Sequence, residues 1–127
     1  MPPHTVTYNP EMHIVETKAH GSLALDEAKE LISDIGQACV ENNCFLCLSD
    51  YRDVTLKLST LDIYSIPHIL SETLASMGLP ANKVKRAVVV AKDTRDFEFF
   101  ETVTINNGQN IKLFQDIDEA KKWLLKK

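Results

Sequence analysis

The sequence predicts an α/β fold in the order β-β-α-β-α-β-α-β-α, with a mostly parallel mixed sheet and helices packed against it. Short apolar runs rich in β-branched residues alternate with segments whose apolar residues repeat at helical spacing. Short connections between such alternating units favour parallel strands, with one antiparallel strand at an edge. The length of 127 residues fits a single domain that spans residues 1–127.

The chain opens with a predicted hairpin and a helix. Residues 5–8 and 14–17 are alternating β-branched runs, and Asn9-Pro10-Glu11 between them is a turn-forming cluster. The first helix is predicted over residues 25–42, because apolar residues recur there at helical spacing and acids occupy the first turn.

A short central strand and a second helix follow. Residues 45–48 are apolar on both faces, which is typical of a strand covered by helices on both sides, and the polar segment 49–53 comes directly after them. Ser59 or Thr60 begins the second helix by capping it. A kink or break is expected at Pro67, because proline lacks a backbone donor and clashes with the preceding turn.

A strand, a third helix and another strand are predicted before the final helix. Residues 87–91 form the clearest strand, again buried on both sides. Asp93 or Thr94 caps a third helix that ends near Gly108, a residue suited to a left-handed helix terminus. A strand over residues 111–114 then leads to a final helix, which Asp116 caps.

Composition excludes several classes of function. The net charge of −4 and the interspersed acids and bases leave no basic stripe for nucleic acid. The small basic group Lys83, Lys85 and Arg86 is interpreted as a solvated flank. No apolar run is long enough for a membrane span and the opening residues lack a signal peptide, so a cytoplasmic location is expected.

Cysteines, histidines and glycines offer no catalytic motif. Three cysteines argue against a disulfide framework, and Cys44 and Cys47 lie in a predicted strand whose geometry points them to opposite faces rather than to a redox site. The sequence has no metal-binding spacing, nucleophile elbow or phosphate-binding glycine loop. We therefore expect no metal and no cofactor.

Several residues and motifs along the chain form a recognisable pattern: Asp50-Tyr51-Arg52, Arg86-Ala87-Val88-Val89-Val90, the segment 97–101, Asn107-Gly108, Phe114, Asp116, Glu119-Ala120 and Trp123-Leu124. With this pattern the sequence resembles the bacterial SpoIIAA-like (STAS/SEC14 domain) proteins over nearly its whole length. Residues 84–125 carry the most distinctive part of the likeness. The resemblance implies the STAS fold of anti-sigma-factor antagonists.

The same resemblance implies a regulatory switch that this sequence lacks. In anti-sigma-factor antagonists a serine or threonine at the start of the second helix is phosphorylated, within a short motif directly after the third strand. That segment here reads Ser49-Asp50-Tyr51-Arg52-Asp53, and the hydroxyl pair Ser59-Thr60 comes later. We expect Ser59 to be a helix cap rather than a phosphorylation site.

Two groups of residues are candidates for a binding site. Polar segments follow two neighbouring strands, and ligands of open α/β sheets gather beyond the carboxyl ends of parallel strands. This predicts a rim that holds an anion or a partner's carboxylate, with a solvated loop of compensating ion pairs as the alternative. The rim consists of Asp50, Tyr51, Arg52, Asp53, Ser59, Thr60, Asp93 and Arg95.

The third helix supplies the second candidate surface. Its aromatic residues Phe97, Phe99 and Phe100 exceed what one helix face needs, so some of them line a cavity or contact another subunit. Glu101 lies four residues after Phe97 and is a candidate for a carboxylate in apolar surroundings.

These observations favour a non-enzymatic regulatory or protein-binding module that binds a protein partner or self-associates as a homodimer. The alternative is a small apolar-ligand or lipid carrier, which the surplus aromatics and the SEC14-like resemblance suggest. An enzyme is the third hypothesis and would use Asp50, Arg52 or Glu101.

Overall fold

The computed structural model describes residues 4–91 and 95–126. The strands are β1 (His4–Asn9), β2 (Ile14–Leu23), β3 (Leu46–Leu56), β4 (Lys85–Val89) and β5 (Asn110–Phe114). The helices are α1 (Leu25–Asn42), α2 (Thr60–Ser76), α3 (Arg95–Asn106) and α4 (Ile117–Leu125), with a short 3₁₀ turn at Ala81–Lys83. The predicted order of strands and helices is confirmed.

The strands form one sheet in the order β1-β2-β3-β4-β5. β1 pairs with β2 antiparallel, and every later pairing is parallel. The sheet is therefore mixed, with its antiparallel strand at one edge, as predicted. The connections from β2 to β3, from β3 to β4 and from β4 to β5 all move in the same direction across the sheet. With the usual right-handed connection, the helices of these three crossovers lie on the same face of the sheet.

The two faces of the sheet are covered unequally. Val88 packs with Phe97 of α3, and the neighbouring residue Val89 packs with Ala120 and Leu124 of α4. Because successive side chains of a strand point to opposite faces, α4 covers one face and α1, α2 and α3 cover the other. No helix within the described ranges is both long and apolar enough to cross a lipid bilayer.

Strand β3 is much longer than the sequence predicts. It runs from Leu46 to Leu56, so the segment expected to be a polar loop after the strand is part of it. Lys18 pairs with Asp50 and His20 pairs with Asp53, so β3 holds one residue more than β2 over this stretch. This bulge shifts the alternation of side chains, and Val54 and Leu56 turn toward the core on the α3 side.

Helix α2 is continuous through Pro67, so the expectation of a break at this residue is wrong. Pro67 is fully buried, together with Ile66 and Leu70 on the same helix. A proline inside a helix costs about 3 kcal/mol, and burial of this apolar face offsets that cost.

Candidate functional site

The predicted polar rim is divided between the two faces of the sheet. Arg52 donates two hydrogen bonds to Asp50, from Nε at 2.9 Å and from Nη2 at 2.8 Å. This pairing and a neighbouring backbone amide lower the pKa of Asp50. Tyr51 lies between them in sequence but points to the opposite face, where its ring is 6.3 Å from that of Phe97. The expectation that these side chains share one rim is wrong, because they alternate along a strand.

The remaining described rim residues lie on three different elements. Asp53 is exposed in the second half of β3, and Arg95 is exposed at the start of α3. Asp93 lies outside the described residues. Thr60 is the exposed first residue of α2.

Ser59 is the N-cap of α2. Its hydroxyl accepts a hydrogen bond from the backbone N–H of Asp62 at 3.1 Å, and the Asp62 carboxylate accepts one from the backbone N–H of Ser59 at 3.1 Å. This reciprocal arrangement is a capping box. The side chain of Ser59 therefore has a structural task at the helix terminus.

An internal cavity of about 70 Å³ lies between the sheet and the three helices on its α1–α3 face. Leucine, isoleucine, valine, alanine and phenylalanine side chains supply most of its wall, and two thiols, Cys39 and Cys47, complete the apolar part. Three polar side chains also line it: Ser49, Tyr51 and Arg86.

Arg86 is the feature that sequence analysis interpreted incorrectly. It was grouped with Lys83 and Lys85 as a solvated flank, yet it faces the cavity and protein atoms surround it closely enough that burial lowers its pKa. Its surface is only partly accessible. The signal was present in the strand, because Arg86 alternates with Val88 and Val90 and so shares their core-facing side.

Tyr51 stands near Arg86 in the same cavity. Burial raises the pKa of Tyr51 to about 12. Tyr51 is therefore a neutral phenol at physiological pH, able to donate one hydrogen bond into the cavity.

Cys44 and Cys47 have separate partners, in agreement with the prediction that they do not form a redox pair. Cys44 precedes β3 and donates its thiol hydrogen to the carbonyl of His13 at 3.1 Å. Cys47 instead contacts Cys39 of α1, with the sulfur atoms 3.4 Å apart. The hydrogen bond to Cys39 and burial raise the pKa of Cys47 well above its ordinary value, so this thiol is protonated at neutral pH.

The aromatic residues of α3 divide between the cavity and the surface. Phe97 and Phe100 line the cavity. Phe99 packs edge to face against Tyr64 of α2, with ring centroids 5.5 Å apart. Tyr64 is 51% exposed and Leu61, one helical turn earlier, is 79% exposed. We call Leu61, Tyr64 and Phe99 the α2–α3 patch.

Glu101, predicted as a carboxylate in apolar surroundings, forms a hydrogen bond with the protein backbone. Its Oε2 accepts a hydrogen bond from the backbone N–H of Leu113 at 2.8 Å, which joins α3 to β5. β5 lies at the edge of the sheet, so this carboxylate satisfies a backbone donor near the open edge.

No family model matches the sequence, and no curated protein matches it. Solved structures match it over nearly the whole chain. One is an uncharacterised protein of the DUF3478 family with a SpoIIAA-like fold from Shewanella loihica PV-4, at 14% identity and a TM-score of 0.58, covering 98% of this chain and 95% of that chain. Another is an anti-sigma factor antagonist from Mycobacterium paratuberculosis, at 16% identity and a TM-score of 0.60, covering 97% and 95%. The chain therefore has the SpoIIAA-like fold that its sequence predicts.

Proposed function

We propose that the chain is a non-enzymatic regulatory module that binds a partner protein through the α2–α3 patch. The observation that carries the proposal is the exposure of Leu61 and Tyr64 beside Phe99. Single exposed apolar residues are ordinary, but a contiguous group with two aromatic rings is typical of a binding surface. The likeness in fold to an anti-sigma factor antagonist supports a protein partner.

The partner is either another protein or a second copy of this chain. The regulatory proposal does not require phosphorylation of Ser59, since its hydroxyl already caps α2. The polar pair of Asp50 and Arg52 satisfies itself, so we assign it no role in catalysis.

The test compares two leucine variants of the full chain. Leu61→Glu places a charge in the patch, and Leu125→Glu is the matched control, since Leu125 is 44% exposed at the end of α4 on the other side of the sheet. A partner captured from the native host by the wild-type chain is purified and titrated by calorimetry. We expect Leu61→Glu to weaken binding at least about tenfold, or about 1.4 kcal/mol. Equal affinity of both variants overturns the proposal.

Sedimentation of the same proteins distinguishes the two kinds of partner. If the occupant of the patch is a second copy, the wild-type chain and Leu125→Glu sediment as dimers and Leu61→Glu as a monomer. If it is another protein, all three sediment as monomers until that protein is added.

A second function, a carrier of a small apolar ligand, is supported by the cavity. Its walls are mostly apolar, and Phe97 and Phe100 contribute to them. Such concave, apolar sites with a few polar groups are typical of ligand binding. Native mass spectrometry of protein purified from its host tests this function: a reproducible extra mass that is lost on denaturation supports it, and an unaccompanied chain in every preparation contradicts it.

A further inference from the structure

The cavity contains one charged side chain among its described lining residues, Arg86. Arg86 lies on β4, where it pairs with Cys47 of the neighbouring strand β3 and with Ile111 of the neighbouring strand β5. Its side chain lies on the face of the sheet that α1, α2 and α3 cover. Arginine stays protonated in proteins, so this cavity holds a full positive charge among apolar walls. Arg86 is partly buried. A charge withdrawn from water is costly unless a group of opposite charge or a set of hydrogen bonds compensates it.

Nothing in residues 4–91 and 95–126 supplies that compensation. The ion pairs there join His4 to Asp34 and Arg52 to Asp50, and no side chain or carbonyl in those ranges accepts a hydrogen bond from the Arg86 guanidinium. Cys47 and Tyr51 are polar neighbours of Arg86. The hydrogen bond to Cys39 and burial raise the pKa of Cys47, and burial raises that of Tyr51. Both are neutral at physiological pH and contribute no negative charge.

We propose that the cavity binds a small aliphatic monocarboxylate whose carboxylate pairs with Arg86 and whose hydrocarbon chain contacts the apolar wall. This inference rests on the proposed ligand-carrier function and specifies its ligand. The planar guanidinium matches a carboxylate through two parallel hydrogen bonds. The Tyr51 hydroxyl, which lines the same cavity, is available as a further donor.

Charge and size select this class of ligand. One guanidinium balances one negative charge, whereas a phosphate monoester carries nearly two at neutral pH. The cavity volume of about 70 Å³ is small beside the roughly 300–1,000 Å³ of sites for drug-sized molecules. A short aliphatic acid fits these limits better than a lipid with two long chains.

The test uses calorimetric titration of the full chain, freed of any bound ligand, with acetate, butyrate, hexanoate and the neutral analogue hexanol. We expect affinity to rise about fourfold per methylene until the cavity is filled. Hexanoate should bind at least about tenfold more tightly than hexanol, which lacks the charge that pairs with Arg86.

Two variants show whether Arg86 is responsible. Arg86→Met should weaken hexanoate binding at least about tenfold and leave hexanol binding unchanged or stronger. Lys112→Met is the matched control, because it removes an exposed cation from the adjacent strand β5. Lys112 pairs with Ala87, whose side chain faces α4, so Lys112 lies on the face of the sheet away from the cavity. It should bind hexanoate like the wild-type chain.

The outcomes separate this inference from the function on which it rests. If hexanoate and hexanol bind equally to the wild-type chain and to Arg86→Met, the cavity is a ligand site and the role of Arg86 is overturned. If none of the compounds binds, the monocarboxylate inference fails, and the mass found by native mass spectrometry decides the carrier function separately. If Arg86→Met does not fold, the Nε–H resonance of Arg86 in the wild-type NMR spectrum decides: it must shift with hexanoate and not with hexanol.

Discussion

Asp50, Tyr51 and Arg52 are consecutive, yet their side chains have different surroundings because successive side chains of β3 point to opposite faces of the sheet. Asp50 and Arg52 pair with each other at the surface, whereas Tyr51 enters the cavity. The sequence identifies these residues as polar and close together. It does not reveal that the backbone through them is a strand, and that fact alone determines which of them can meet a ligand.

The raised pKa of Tyr51 makes stability depend on pH in the alkaline range. The folded chain retains the Tyr51 proton up to a pKa of about 12, whereas the ordinary value is 10.0. Between these values the folded state binds more protons than the unfolded state, so the free energy of unfolding decreases as pH rises from about 10 to 12. Tyr51→Phe should reduce this decrease when urea unfolding is measured at several pH values.

The range from pH 7 to 9 is the internal control for this comparison. The phenol is protonated there in both states, so the wild-type and Tyr51→Phe stabilities should differ by a constant amount. If the two plots of unfolding free energy against pH stay parallel from pH 9 to 12 as well, the buried environment of Tyr51 is contradicted.

Among the elements, α1 and the beginning of α4 agree closely with the prediction, whereas β3 does not. Helical periodicity and the Asp116 cap are local signals, so they are visible in the sequence. The continuation of β3 through Asp50–Asp53 is set by pairing with β2, although aspartate, which occupies positions 50 and 53, is a poor strand former. The length of β3 is therefore determined by β2, a strand distant in sequence, and the local pattern of residues in β3 does not predict it.

The capping box gives a prediction for the beginning of α2. Ser59→Ala removes the acceptor for the Asp62 amide and should lower the free energy of unfolding by about 1 kcal/mol. Thr60→Ala is the control, because Thr60 is exposed beside the cap; its effect should stay within about 0.5 kcal/mol. Urea unfolding followed by circular dichroism measures both. Equal losses in the two variants would show that the Ser59 side chain does not stabilise the helix.

Across the whole molecule, the alternation of strands and helices predicts the sheet and its helices but not the cavity. Parallel pairing and short connections restrict the topology strongly. A cavity instead depends on how completely side chains from α1, α2, α3 and the sheet fill the space between them, which pairwise patterns in sequence do not specify. Strand alternation places Arg86 on the same face as Val88 and Val90, but it does not show that this face borders a cavity.

We predict that the two faces of the sheet unfold as one cooperative unit, as expected of the single domain that the sequence predicts over residues 1–127. The single tryptophan, Trp123, reports on α4, because its ring lies 5.7 Å from that of Phe114 and the Lys85 ammonium lies over it at 4.5 Å. Leu124 packs α4 against Leu48 and Val89 of the central strands. Small domains usually unfold in one transition, so tryptophan fluorescence and circular dichroism should give the same urea midpoint.

Leu124→Ala tests whether docking of α4 belongs to that unit. Loss of a buried leucine side chain costs about 2–5 kcal/mol, so both midpoints should fall together. Leu125→Ala, at the exposed neighbouring position, should change either midpoint little. A fluorescence transition at lower urea than the circular dichroism transition would instead mean that α4 detaches first. In that case the α1–α3 face, with its cavity and the α2–α3 patch, would be stable without the helix on the opposite face.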